Sequence, residues 1–317
     1  MTGNRPALGI TLGDATGIGG ELFLRTAPAL AGAVPVAFAS AARLREESAR
    51  LNLPLPPWPV VTALTARPGH AVIVDCPQDG ATELPYGNPN AVSGRLAAAI
   101  LQQAAAGVNA GLLDGVVTLP LNKTALQLAG SRHHGHTEFF RDAAGASDAV
   151  MAFVAPDGLR VALATIHEPL ARVPGLLTAA HLEKVIRLVH HALRHDFGLA
   201  TPRLGVLGLN PHAGEDGLLG SEEQHVIIPV LQRLRAAGMP LHGPLVPDVA
   251  FRHRARYDLL LALYHDQGLI PFKLLAAAGV NVTLGLPFVR TSVAHGTACD
   301  IAGSGTADPA SFRAAWE

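Results

Sequence analysis

The sequence is short of cysteine, of lysine and of aromatic side chains, and it contains no long apolar run. Cys76 and Cys299 are the only cysteines among 317 residues. Two cysteines so far apart build neither a zinc knuckle nor a disulfide framework, so a reducing compartment is expected. No excess of basic charge exists either: the formal net charge is −1. That excludes a general nucleic-acid binder, which needs a basic face, but leaves room for a local anion pocket. No stretch approaches the ~18–20 apolar residues that cross a bilayer. The opening MTGNRPALGITLGD lacks the basic start and apolar core of a secretory signal. A soluble cytoplasmic protein is expected, with no membrane or nucleic-acid partner. Charged residues make up 15% and hydrophobic ones 49%, which excludes a disordered chain and supplies a large core. The length suits two domains or one large one.

What is abundant is alternation. Residues Ala7–Leu12, Val34–Ala39, Ala71–Asp75 and Gly115–Leu119 read as short apolar strands. Residues Ile18–Leu30, Ala41–Leu51 and Ala91–Ala106 read as helices, and Leu51–Pro59 as a proline-rich loop. Val150–Ala155 and Leu159–Thr165 flank Pro156-Asp157-Gly158 and predict a β-hairpin. His181–His195 and Ser221–Ala237 predict helices; Arg203–Leu209, Tyr257–Tyr264 and Val280–Leu284 predict strands. The pattern implies an α/β fold with mixed, mainly parallel sheets. Two lobes with a cleft between them are expected, with limits that no shift in composition marks and that interleave along the chain.

Ligands of such sheets sit where strands end. Three predicted strands lead there to a histidine: His167 in Ile166-His167-Glu168, His212 in Asn210-Pro211-His212-Ala213-Gly214-Glu215, and His265 in His265-Asp266-Gln267-Gly268. Each alone reads most simply as a strand-end residue bonded to a loop. Together, with Glu168, Glu215 and Asp266 as acceptors for their far nitrogens, they suit an open metal site. In Gly135-His136-Thr137-Glu138, Thr137 is expected to cap a helix starting near Glu138, with His136 beside its anion-attracting N-terminus. Lys273, Asn281 and Arg290 offer cationic and neutral donors suited to a phosphate or carboxylate, although each alone also suits a solvated rim. The turn Gly13-Asp14-Ala15-Thr16-Gly17-Ile18-Gly19-Gly20-Glu21 matches neither the dinucleotide fingerprint nor the Walker pattern, and reads as a tight strand-to-helix turn. The last glycine-rich stretch, His295–Gly305, is too polar for core; Asp300 can accept ribose hydroxyls and Cys299 reads as packing.

Taken together, TLGDATGIGGE, LPLNK, GHTEFF, TIHEPLARVP, LNPHAGEDGLLGSEE, VPDVAFR, YHDQGLIPFK and GVNVTLGLPFVRTSVAHGTACDIAGSG resemble the 4-hydroxythreonine-4-phosphate dehydrogenase family of vitamin B6 synthesis. The likeness runs from about residue 7 to 313. It implies a two-domain fold like that of isocitrate and isopropylmalate dehydrogenases, a homodimer, and a site in the interdomain cleft near the subunit interface. It carries metal ligation to His167, His212 and His265, and substrate binding to His136, Thr137, Lys273, Asn281 and Arg290. It carries NAD contact to His295, Gly296, Thr297 and Asp300; no arginine pair near Asp300 points to NADP. The family's first loop usually reads GDPAGIGPE; Ala15 and Gly20 replace its prolines here, and the chain stops soon after Phe312.

The implied reaction is oxidation of 4-phosphooxy-L-threonine at C3, then decarboxylation to 3-amino-2-oxopropyl phosphate, with a divalent metal (Zn²⁺, Mg²⁺, Co²⁺ or Mn²⁺) assisting. Asp248 and Asp266 are the candidates for the general base, or for hydrogen-bond support of the metal ligands. The same motifs fit a relative acting on 4-phospho-D-threonate or 4-phospho-D-erythronate. A branch acting on cyclic dihydrodiols makes less use of the phosphate-binding set. A non-redox phosphate acyltransferase or metal hydrolase has no use for the His295–Gly305 loop, and a pure binding module leaves three strand-end histidines unexplained.

Overall fold

The computed structural model describes residues 5–133, 135–276 and 279–317. His134, just before the Gly135-His136-Thr137-Glu138 segment, and residues 1–4 of the opening segment lie outside the described residues. The chain divides into two compact units, Met1–Ala149 with Leu286–Glu317, and Val150–Gly285.

In the first unit the strands are β1 (Ala7–Thr11), β2 (Val34–Ala39), β3 (Val60–Val61), β4 (Val72–Asp75), β5 (Gly115–Thr118) and β12 (Val289–Ser292). They run in the order β3-β4-β2-β1-β5-β12, every pairing parallel. The helices are α1 (Gly19–Thr26), α2 (Ala41–Leu51), α3 (Ala91–Asn109), α4 (Lys123–Leu128), α5 (His136–Ala143) and α11 (Ala310–Trp316). Local chemistry sets their starts: Ser40 caps α2, and Asn90 with Ser93 forms a reciprocal capping box on α3. Leu96, Ile100, Leu101, Ala104 and Val108 of α3 pack on Val34, Val36, Phe38, Val72 and Val74. Burying each of the larger side chains is worth roughly 2 kcal/mol.

The second unit holds β6 (Val150–Val154), β7 (Arg160–Leu163), β8 (Leu204–Leu207), β9 (Leu241–Leu245), β10 (Leu259–Ala262) and β11 (Val280–Leu284), in the order β11-β6-β7-β10-β8-β9. The expected hairpin β6–β7 is antiparallel, as is β11–β6; the other pairings are parallel. Its helices are α6 (Val173–Leu176), α7 (Ala179–His195), α8 (Ile228–Ala236), α9 (Pro247–Arg252) and α10 (His265–Leu275). Alternation along the strands feeds two cores. Leu259 and Leu261 of β10 meet Ile186 and Val189 of α7 and Leu231 of α8; Leu260 and Ala262 meet Phe251 of α9 and Phe272 of α10.

Several elements differ from the sequence reading. The helix expected over Ile18–Leu30 ends at Thr26, because Pro28 sits in a following 3₁₀ turn over Ala27–Ala29. The single helix expected over Ser221–Ala237 is a wide π turn at Glu223–Ile227 followed by α8; Pro229 has no N–H to continue the tighter ladder. Strands β9 and β12 and helix α10 were not apparent from pattern.

Candidate active site

In the second unit the strand-end rule places the histidines. β7 and β10 are parallel neighbours with Leu163 opposite Ala262. Just beyond, the Ala164 amide donates to the Ala262 carbonyl and the Thr165 hydroxyl to the Leu263 carbonyl, both at 2.8 Å. The chains leave the sheet together, and the His167 and His265 rings stand 5.7 Å apart. Gln267 fixes this end of the sheet: its Oε1 accepts from the Leu263 amide and its Nε2 donates to the Gly208 carbonyl, each at 2.7 Å. His265 Nδ1 lies 2.7 Å from Asp266 Oδ1. A carboxylate only accepts, so Nδ1 carries the proton and Nε2 keeps a lone pair for a cation.

His212 follows β8 in a loop whose backbone is left-handed from His212 to Asp216, with φ between 42° and 83°. Such a run costs energy at every non-glycine position and needs outside support. Buried Glu223 supplies it. Its Oε1 accepts from the Leu209 and Asn210 amides at 2.7 and 2.8 Å, and its Oε2 accepts from Asn210 Nδ2 at 2.8 Å. A Cβ on Gly214 would stand 2.7 Å from Glu223 Oε2, so the loop wraps this carboxylate closely. The His212 side chain is 69% exposed, with Nδ1 3.3 Å from Glu215 Oε2. Of the three expected carboxylate acceptors, Asp266 and Glu215 hold their histidines, and Glu168 pairs with Arg172. His212, Asp248 and Asp266 line one groove of about 960 Å³, walled on its other sides by Phe251, Ile270 and Leu274.

The three histidines are not gathered into one cluster. Among the described residues no group of three or more His, Cys, Asp or Glu stands in position to hold a metal ion. Two imidazoles, His167 and His265, are brought together. Lys273 is exposed in the last turn of α10. Asn281 is half-buried on β11, and its buried Oδ1 has no hydrogen-bond partner among the described residues.

The first unit presents a different set. Arg290, on β12, is 2% exposed, not on a solvated rim. Its Nη2 donates to the Thr118 hydroxyl at 2.6 Å and its Nη1 to the Thr137 hydroxyl at 3.5 Å. Burial draws its pKa down to about 10, which still leaves it charged at neutral pH. Thr137 is not a cap: α5 begins at His136 after Gly135, with no side-chain cap, and Thr137 turns its hydroxyl to Arg290. The buried Nε2 of His136 has no hydrogen-bond partner among the described residues. Burial, then the charge of Arg290, hold this imidazole well below its ordinary pKa, so it is neutral. A buried cation beside a neutral imidazole with an unused nitrogen forms a receptor for an anionic oxygen.

The glycine-rich turn and the His295–Gly305 loop are built against each other. Asp14 is buried and accepts from the Thr16 amide, the Thr16 hydroxyl and the Ser93 hydroxyl at 2.8, 2.7 and 3.2 Å. Gly17 lies so close to Thr297 that a Cβ would stand 2.9 Å from its carbonyl oxygen, and Ile18 N donates to that carbonyl. Glu21 accepts from the Gly305 and Ala307 amides at 3.2 and 2.8 Å. Gly303, at φ +73°, lies against the Tyr86 ring, which Arg43 and Arg50 cover. So braced, the loop leaves His295, Gly296 and Asp300 exposed and Thr297 half-buried. The Cys299 thiol lies 3.3 Å from the Thr297 hydroxyl. Sequence reasoning missed Thr118, Glu223 and Gln267, all of which orient other residues.

Residues 31–317 match the family model described as pyridoxal phosphate biosynthetic protein PdxA. The chain is 46% identical over 314 residues to a 4-hydroxythreonine-4-phosphate dehydrogenase of Xylella fastidiosa, covering 98% of this chain and 94% of the relative. It is 44% identical over 322 residues to that of Paracoccus denitrificans, covering 99% and 97%. Its structure resembles a crystal structure of 4-hydroxythreonine-4-phosphate dehydrogenase from Klebsiella pneumoniae with a TM-score of 0.89 and 36% identity, over 100% and 97% of the two chains. A terephthalate 1,2-cis-dihydrodiol dehydrogenase from Burkholderia xenovorans is further off, with a TM-score of 0.69 and 30% identity over 97% and 95%. On full-length sequence and fold alike, this chain belongs to the PdxA family of 4-hydroxythreonine-4-phosphate dehydrogenases.

Proposed function

We propose that the protein oxidises 4-phosphooxy-L-threonine at C3 with NAD⁺ and releases CO₂ to give 3-amino-2-oxopropyl phosphate, in vitamin B6 synthesis. The observation that carries this reading is the end-to-end identity to relatives named for that dehydrogenase. Buried Arg290 and neutral His136 bind the phosphate with Thr137, and Lys273 and Asn281 of the second unit are assigned to the substrate by the family resemblance. The unpartnered buried oxygen of Asn281 is suited to a donor group on the substrate. The braced loop carrying His295, Gly296, Thr297 and Asp300 binds the dinucleotide, which accepts the hydride.

The donor set also fits a divalent cation: His265 is oriented by Asp266 with Nε2 left available, and His167 stands beside it. His167, His212 and His265 are assigned to hold it in a homodimer, with the third imidazole supplied across the subunit interface. Zn²⁺ suits imidazole ligands best, with Co²⁺, Mn²⁺ and Mg²⁺ as alternatives. Such an ion lowers the pKa of a bound hydroxyl and stabilises developing enolate charge. Asp248, in the groove with His212, is assigned as the proton acceptor; Asp266 orients His265.

NADH formation by the purified protein with Zn²⁺ or Mg²⁺ tests this. 4-Phosphooxy-L-threonine is compared with 4-phospho-D-threonate, 4-phospho-D-erythronate and a cis-dihydrodiol. The expected result is preference for the amino acid with matching CO₂ release. Preference for a sugar acid overturns the substrate; no NADH from any of them overturns the oxidoreductase reading.

A further inference from the structure

Helix α7 carries HHALRH at its end, residues 190–195, a cluster to which the proposed reaction gives no role. His191 and His195 are exposed and one turn apart, their rings stacked with centroids 4.1 Å apart and planes at 28°. Residues at this spacing share one helix face. The opposite face of α7, with Val185, Ile186, Val189, Ala192 and Leu193, is locked into the core, so the backbone under the two rings is fixed. Asp196 follows directly. Burial raises its carboxyl pKa while the His191 and His195 rings draw it down, so it lies within electrostatic reach of both. Arg187, one turn before His191, is paired with Glu183 at 2.7 Å, and Arg194 immediately precedes His195.

We propose that His191 and His195 form a two-imidazole chelate for a borderline transition-metal cation of the Ni²⁺, Cu²⁺ or Zn²⁺ type. Imidazole selects these ions over Mg²⁺ and Ca²⁺, which prefer oxygen. The second imidazole binds an ion already held by the first, so the pair gains from effective concentration. Water fills the other positions, and the Asp196 carboxylate offsets the added charge. The residue after His191 is Ala192, not the glutamate that makes a paired-histidine helix hydrolytic, so the site binds without catalysing. It is distinct from the strand-end histidines. His181, early in α7, bonds the Ala164 carbonyl at the end of β7. His195 is 14 residues further along, a helix distance of roughly 21 Å.

Equilibrium dialysis of tag-free, full-length protein against Ni²⁺ at pH 7.5 tests the site, because any ion bound elsewhere is a constant background. His191→Gln and His195→Gln are each expected to lose one equivalent of tightly bound Ni²⁺, or to weaken it about a hundredfold, with Tm unchanged. His190→Gln is expected to keep it, since its half-buried ring is the next residue round the helix. Equal Ni²⁺ content and affinity in the wild-type and His191→Gln proteins, or an equal loss in His190→Gln, overturns the proposal.

Discussion

The guanidinium of Arg290 is held by the hydroxyl of Thr118 at 2.6 Å, across the neighbouring strands β12 and β5. The same hydroxyl lies 3.1 Å from the Thr291 carbonyl, to which it donates. Its one proton is thus spent on that carbonyl, and its lone pair faces Arg290. A hydrogen bond to a buried charge is worth about 1.5–3 kcal/mol. Thr118→Val is therefore expected to raise KM for the phosphorylated substrate roughly ten- to hundredfold with little change in kcat. Thr118→Ser keeps the hydroxyl and is expected to restore KM. An equal loss in both variants would assign Thr118 to packing alone.

The left-handed His212 loop depends on Glu223 in the same way. Glu223→Gln keeps the size but turns one acceptor oxygen into a donor facing the Leu209 and Asn210 amides or Asn210 Nδ2. A destabilisation of about 3 kcal/mol is expected in urea unfolding, from lost bonds and the resulting buried mismatch. Amide exchange over residues 209–217 is expected to quicken more than exchange in α7. Uniform quickening would count against a local role.

Asp266 has two readings that kinetics can separate. As the orienting acceptor of His265 Nδ1, its replacement in Asp266→Asn is expected to weaken metal binding about ten- to hundredfold, with activity recovered at high metal. As a general base, its loss would lower kcat at saturating metal with metal affinity intact. His212→Ala is expected to remove both metal and turnover and to leave the fold unchanged, because the side chain is largely exposed. Wild-type activity of that variant in metal-free buffer would end the metal assignment.

Pattern alone located β2, α2 and β11 at the residues where they stand, because each combines a clean apolar period with an abrupt boundary. Helix α10 has no such clean period, because Gly268 and Pro271 interrupt it. Gly268 is tolerated there because a Cβ would stand 2.7 Å from Leu163, so close packing demands glycine. The strand-end rule pointed to His167, His212 and His265 together; the His167 and His265 rings are neighbours, while the left-handed turn that carries His212 depends on Glu223, eleven positions later. Glu223 and Gln267 lie within the motifs LNPHAGEDGLLGSEE and YHDQGLIPFK and Thr118 lies in none, but the roles of all three exist only in the hydrogen bonds they make. Arg290 suited an exposed rim or a ligand site equally well in sequence; its 2% exposure rules out the rim.

The two positions that depart from the family's usual first loop meet the same helix. Arg43 of α2 donates to the Ala15 carbonyl at 3.1 Å, and Glu47, one turn on, fills the space beside Gly20, where a Cβ would stand 2.0 Å from Oε2. Glu47 is 3% exposed, and burial raises its pKa from 4.5 to about 7; Arg43 works against this shift, while Glu46 and Glu21 add to it. The folded state therefore holds the proton more tightly than the unfolded chain does. This contribution is fully present below about pH 4.5 and is lost as pH rises through about 7. Its full size is about 3 kcal/mol, from 1.36 kcal/mol per pH unit. Glu47→Gln mimics the protonated form, and it is expected to be more stable than the wild type at pH 8.5 and nearly equal to it at pH 4.5. The difference in Tm between the two proteins, followed across that range, is expected to open between about pH 4.5 and 7 and to stay level above it. A constant difference at all pH values would show that the Glu47 carboxyl titrates alike in the folded and unfolded chains.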